Sequence, residues 1–344
     1  MRRLRPVGPN RFETRSMKAA IIGAGLMGSW HADAARHAGI SISLVVDPDE
    51  IAGRRLAAKV GARWSAEMGR LSESGATSAH VCSSSSKHAE HVTAVLSAGL
   101  HCISEKPVAQ TETETRALFE QAERSGRVLC ASHQFLFQPG TLRAIEQLAT
   151  LGALRHSMAT CCTAGARVDS QADYVIADIV THPLSVLRRL IPEGFGDVSW
   201  DAHSSGPGEA LIVAGLPAAS HTILLSTHGR PTRNDMTIIG DRASCHIDFF
   251  HGFSTIESGE VSRARKAVRP FTGAASTLIA AAATLAQRTV AWEPAFPGLR
   301  ELVRRYYAAI ESGDTTGPVT PSETIAVSAA RDRILDRLGF RNSS

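Results

Sequence analysis

The segment Lys18–Gly28 constrains the fold more than any other stretch of the chain. Lys-Ala-Ala-Ile-Ile is a short apolar run, and it ends in Gly23-Ala24-Gly25-Leu26-Met27-Gly28, beyond which a helical pattern runs to about Ala38. A strand that breaks on glycines and re-enters as a helix is half of a βαβ unit. The alternation then repeats. Ile42–Val46 reads as a strand and Pro48 to Val60 as a helix. Ser78–Cys82, His101–Ser104 and Arg127–Ser132 read as strands, with helices over His88–Ala98 and Thr111–Ser125 between them. Such alternation predicts a parallel sheet covered on both faces.

The pattern changes near Ala153. Two-residue alternations such as Ser220–Thr227 and Ser244–Phe250, separated by Gly, Pro and Asp turns, predict an antiparallel sheet. One helix is expected over Tyr174–Leu190, and others from Gly298 and over Glu323–Leu338. The fold class is therefore α/β: an N-terminal doubly wound parallel sheet, then an α+β domain with an open, mainly antiparallel sheet. A chain of 344 residues suits two such domains. The expected division is an extension over 1–16, a Rossmann domain over 17–134 and a substrate-binding domain over 135–344.

Charge argues against a polyanion partner. The formal net charge is +4, and five arginines precede residue 16, so the body of the chain is near neutral. Met1–Ser16 has no apolar centre of the kind a signal peptide needs. It reads as a disordered extension, or as a basic arm closing over a ligand or a neighbouring subunit. The longest apolar helical run, Ser276–Ala286, is too short to span a bilayer and is expected in a core or a subunit interface. Six cysteines without a metal-like spacing suggest buried, reduced thiols in a cytoplasmic protein. No partner histidine has a spacing to Asp178 and His182 that would complete a metal site, so no metal is expected.

Gly23, Gly25 and Gly28 fit G-x-G-x-x-G, and an acid, Asp47, closes the second strand 19 residues beyond the last glycine. Gly23 permits the tight turn, Gly25 the close approach of a pyrophosphate, and Gly28 the packing of helix on strand. The N–H groups that open the helix, through Leu26 and Met27, face the phosphates. Asp47 accepts from the adenosine ribose and repels a 2′-phosphate, which favours NAD. Arg54 and Arg55 keep NADP open.

Several stretches resemble the glucose-fructose oxidoreductase and myo-inositol dehydrogenase family. Val81–Thr111 carries the strand, His88 at the start of a helix, and Glu105-Lys106-Pro107 after the next strand. Ala131–Pro139 resembles the segment that closes the nucleotide domain. Asp178-Ile179-Val180-Thr181-His182 resembles the D-x-x-x-H motif of the second domain. The resemblance implies hydride transfer at the nicotinamide, with a sugar, cyclitol or related alcohol or ketone as the small-molecule substrate. It also implies a homo-dimer or homo-tetramer formed through the open sheet face. It places Ser83, His88, Glu105, Lys106 and His133 beside the cofactor, with His133 also open to the substrate side. The chain departs from the family at Ser84, at Gln134-Phe135-Leu136, at Val180 and at Ser185, positions where sugar-acting members often carry other groups, so a less polar substrate also fits.

Lys106 ends a strand at the carboxyl edge of the sheet, where ligands of open α/β sheets bind. Asp178 and His182, at i and i+4, are expected on one helical face, with Pro183 disturbing the helix there. Either Lys106 or His182 then exchanges the hydroxyl proton, and Asp178 orients the partner. Imine reduction, NAD-assisted glycoside cleavage and a non-catalytic NAD-binding regulatory subunit are the rival readings.

Overall fold

The structure, a computed structural model, describes residues 17–164, 171–191, 194–259, 262–293 and 295–340. The expected extension over Met1–Ser16 lies outside them.

The first half builds strands β1 (Lys18–Ile22), β2 (Ser41–Val46), β3 (Arg63–Ser65), β4 (Ser78–Val81), β5 (His101–Ser104) and β6 (Leu129–Ala131), with helices α1 (Leu26–His37), α2 (Glu50–Val60), α3 (His88–Ser97) and α4 (Glu112–Arg124). The strands pair in parallel in the order β3-β2-β1-β4-β5-β6. This is the doubly wound sheet that the alternation predicts, and its winding reverses between β1 and β4. Ala19, Ala20 and Ile21 are fully buried because helices cover both faces. Asp49 caps α2 by accepting from the N–H groups of Ile51 and Ala52, and Thr111 with Glu114 forms a capping box on α4.

The second half contains α5 (Pro139–Glu146), β7 (Leu154–Cys162), α6 (Ala172–Ile179), α7 (Thr181–Leu190), β8 (Ser199–Gly206), β9 (Glu209–Gly215), β10 (Ser220–Ser226), β11 (Arg233–Gly240), β12 (Ala243–Asp248) and β13 (Phe253–Ser258). Helices α8 (Arg263–Val290), α9 (Leu299–Ser312) and α10 (Pro321–Leu338) follow. The sheet runs β13-β12-β11-β7-β10-β9-β8 and is antiparallel except where β7 meets β10. Ile212, Ile223, Leu225 and Ile238 are buried on one face, whereas Met158, Leu211, Val213, Leu224 and Ile239 stand exposed on the other. All six cysteines are buried and unpaired.

Two expectations change. The helix expected over Tyr174–Leu190 is two helices, because the ring of Pro183 has no N–H for the Ile179 carbonyl and crowds it. The chain therefore re-starts its helix after Val180, and Pro183 sits in the first turn, where no N–H is missed. Of the two places expected for the apolar run Ser276–Ala286, the core is excluded and a subunit interface stays open: the run belongs to the 28-residue α8, where Leu278, Ile279 and Leu285 are 67–70% exposed. The C-terminal helices touch both halves. Helix α9 packs on α1, and α10 on α4 as well as on α7 and β8.

Candidate functional site

The carboxyl ends of the parallel strands deliver every predicted cofactor residue to one edge. The turn after β1 holds Gly23 at φ +96°, and a Cβ there would lie 2.6 Å from the Cys82 carbonyl oxygen. A Cβ on Gly28 would stand 1.9 Å from the Gly23 oxygen, so α1 can approach β1 only with glycine at that position. At Gly25 a Cβ would meet nothing within 4 Å. That glycine borders open space at the amino end of α1, which has no side-chain cap. The N–H groups at the start of α1, including those of Leu26 and Met27, have no partner within the helix, and Leu26 is 68% exposed at the mouth. Asp47 closes the opposite side. One carboxylate oxygen accepts from Ala24 N–H at 2.5 Å and the other from Asp49 N–H at 2.8 Å.

A cavity of about 390 Å³ lies here, lined by Gly23, Asp47, Ser83, Ser84, Lys87 and His91 among others. Sequence reasoning missed Lys87 and His91, which sit on either side of His88. His91 Nδ1 lies 2.8 Å from Ser83 Oγ, and Lys87 pairs with Glu90. The open Gly25 turn, the uncapped helix end and the Asp47 carboxylate together fit a dinucleotide. Arg54 is engaged elsewhere: it pairs with Glu50 and stacks on Trp64 at 4.4 Å.

His88 plays a different part from the one its position suggests. Its ring is buried, and its two nitrogens lie 2.7 and 3.0 Å from the carbonyl oxygens of Pro107 and Ser83. It braces the loops after β4 and β5 against each other. Glu105 is also buried. It accepts from His31 at 3.0 Å and from the Lys106 backbone N–H at 3.2 Å. Burial alone would raise its pKa, but the His31 hydrogen bond and the Lys106 charge hold it below the ordinary value.

Lys106 reaches across to the second half. Its Nζ donates to Asp178 Oδ2 at 2.7 Å and to the Asp178 carbonyl at 3.3 Å. The helix break makes this contact available. With the ladder interrupted, the Asp178 carbonyl accepts from Lys106 and from Thr181 Oγ1, and the Ala177 carbonyl accepts from the buried Arg331. Arg331 also donates to the Gln110 carbonyl, so α10 ties the loop after Lys106 to α6. Asp178 and His182 lie on either side of the junction at Val180, whose backbone is itself helical, and the charge of Lys106 reaches both.

The half-buried His182 ring stacks on Phe135 at 4.3 Å, and Phe135 stacks in turn on Phe249 at 4.8 Å. Burial, then the charges of Lys106 and His133, drive the His182 pKa well below the usual imidazole value. His133 is 3% exposed, and burial followed by Lys106 lowers it to about 4. Neither of its ring nitrogens, nor His182 Nδ1, has a protein partner. Of the two rings that form this aromatic wall, Phe249 has no signal in the sequence, and Phe135 stands out there only as a departure from the family pattern.

The model of the GFO/IDH/MocA oxidoreductase family, with its NAD-binding Rossmann fold, matches residues 17–133. The match covers the first sheet with its helices and stops before the second half. A myo-inositol dehydrogenase of Streptomyces leeuwenhoekii is 29% identical over 180 residues, 51% of this chain and 55% of the relative. The matches to curated relatives cover about half of those proteins or less. Over the whole fold, the chain is similar to the WlbA dehydrogenase of Bordetella pertussis, solved with NADH and UDP-GlcNAcA. The TM-score is 0.75 at 15% identity, covering 95% of this chain and 96% of that one. A levoglucosan dehydrogenase solved with NADH and levoglucosan gives a TM-score of 0.73 at 16% identity, covering 94% and 97%. The stretch similar to the GFO/IDH/MocA model thus supplies the glycine turn, Asp47 and Lys106, and the second half supplies Asp178 and His182.

Proposed function

We propose that the chain is an NAD-dependent dehydrogenase that interconverts a secondary alcohol and a ketone on a sugar, cyclitol or sugar-nucleotide-like substrate. The observation that carries this reading is the meeting of Lys106, from the first half, with Asp178 and His182, from the second half, at the edge where the glycine turn opens. The names of the relatives, which include dehydrogenases of myo-inositol and D-xylose, support the substrate class.

Bound NAD would supply the hydride acceptor at its nicotinamide ring. His182, kept neutral by its surroundings, has a lone pair with which to take the hydroxyl proton, and it returns that proton in the reductive direction. Lys106, tethered by Asp178, donates a hydrogen bond to the same oxygen and fixes its distance from the ring. The open nitrogens of His133 offer a further contact to substrate or cofactor. Asp47 favours NADH over NADPH by its charge. The Phe249–Phe135–His182 stack makes one wall apolar, which supports a substrate with a less polar face and keeps imine reduction as a second reading. A homo-oligomer is assigned to the face bearing Met158, Leu211, Val213, Leu224 and Ile239, where apolar side chains are exposed together.

The test is a fluorescence titration with NADH and NADPH, followed by absorbance at 340 nm over a panel of alcohols, ketones and sugar nucleotides. Lys106→Ala and His182→Ala should each retain NADH binding and lose about a hundredfold or more in turnover. Wild-type rates in both variants would refute the assignment. Sugar cleavage without net absorbance change would move the reading to glycoside hydrolysis.

A further inference from the structure

Behind Glu105 runs a buried chain of polar groups that the hydride chemistry does not use. His31 on α1 places Nε2 3.0 Å from Glu105 Oε1 and Nδ1 3.0 Å from Nδ1 of His80 on β4. His80 Nε2 lies 2.7 Å from the hydroxyl of Tyr307 on α9, which lies 2.9 Å from Ser78 Oγ. His31, Ser78 and His80 are wholly buried, and Tyr307 is 3% exposed.

Elementary bonding rules orient this chain. A carboxylate only accepts, so His31 Nε2 carries the proton. A neutral imidazole has a single N–H, so His31 Nδ1 accepts, and the facing Nδ1 of His80 must donate. His80 Nε2 then accepts from the Tyr307 hydroxyl, whose oxygen accepts from Ser78. With neutral rings this is the one self-consistent arrangement, and every donor in it points toward Glu105. Bonds aligned in this way in a dry interior strengthen one another.

We infer that Tyr307 is a positioning residue for the Lys106 site: through His80 and His31 it holds Glu105 as a buried acceptor, and Glu105 in turn fixes the Lys106 backbone. The inference rests on the proposed role of Lys106. The surroundings agree with it. Around Glu105 stand His31, Lys106, Ser132, His133 and the Cys82 thiol. Around His80 and Tyr307 stand Tyr306 and Ser78, with the Cys102 and Cys130 thiols beside Tyr306. Burial drives the His80 pKa down and the phenol and thiol pKa values up, so these groups are neutral at physiological pH. Among the described residues, Glu105 and Lys106 are the charged groups at the Glu105 end of the chain, and Glu323 lies toward Cys130 at the other.

Histidine ¹⁵N spectra of the full chain test the arrangement without any substrate. His31 should be the Nε2–H tautomer and His80 the Nδ1–H tautomer between pH 6 and 8; a doubly protonated His31 or reversed tautomers overturn it. Tyr307→Phe keeps the ring and removes the hydroxyl. It should leave the NADH Kd within about twofold, lower kcat by about tenfold and move the acid limb of the rate profile to higher pH. A profile that superimposes on that of the parent, while Lys106→Ala is inactive, rejects the inference and leaves the proposed chemistry standing. If Lys106→Ala is fully active, the chemistry fails instead, and the spectra judge the chain by themselves. Should Tyr307→Phe not fold, Ser78→Ala removes the terminal donor and is read in the same way.

Discussion

Asp47 shows how one side chain carries two tasks. Its carboxylate accepts from Ala24 and Asp49, so it braces the glycine turn before any ribose reaches it. A charge-assisted hydrogen bond contributes about 1.5–3 kcal/mol. Asp47→Ala should therefore weaken NADH binding about tenfold or more and narrow the preference over NADPH, as measured by fluorescence titration. Phe135 acts on the opposite wall, where it shields His182 from water. Phe135→Ala should let the imidazole pKa climb back toward its usual value. The acid limb of the turnover profile should then move to higher pH, because a protonated ring cannot accept. Asp47 is legible in the sequence because it closes a strand next to a glycine turn. Phe135 is not, because its meaning lies in a stack with His182 and Phe249, far away along the chain.

At the scale of elements, what the sequence reveals depends on range. The β1–turn–α1 unit is legible because its determinants lie within eleven consecutive residues. The break between α6 and α7 is only half legible. Pro183 announces a disturbance, but its consequence, free carbonyls at Ala177 and Asp178 for Arg331 and Lys106, needs elements from both ends of the chain. Pro183→Ala restores an N–H opposite Ile179 and should let the two helices fuse. The expected outcome is an unchanged or raised Tm together with a fall in kcat, since fusion draws Asp178 away from Lys106; unchanged kcat would show that the break is immaterial. The chain His31–His80–Tyr307 was invisible for the same reason. Each residue lies inside an ordinary apolar element, and the closure of His80 onto Tyr307 spans 227 positions. Helix α8 shows the converse limit: its apolar content is plain in the sequence, but its exposure is not.

The whole molecule stores a pH dependence in its buried imidazoles. His101, His133 and His221 have pKa values lowered to about 4, and His80 and His182 lie well below the usual value; burial is the first cause in each case. An unfolded chain binds these protons near pH 6.5, whereas the folded chain binds those of the first three only near 4. Their stabilisation is therefore complete above about 6.5 and is lost as pH falls through that window, by up to about 1.4 kcal/mol per pH unit for a ring as buried as His133. Glu105, depressed below 4.5, adds its loss at lower pH still. Urea midpoints should fall steadily from pH 7 to 4.5, and a flat series would contradict the burial of these rings. The same molecule-wide view gives the return of α9 and α10 a temporal meaning. The nucleotide sheet leaves the ribosome first, yet the helices that cover α1 and α4 are translated last. Until then its apolar flank stays open to water, so a chain truncated before Leu299 would lose its own first-made half.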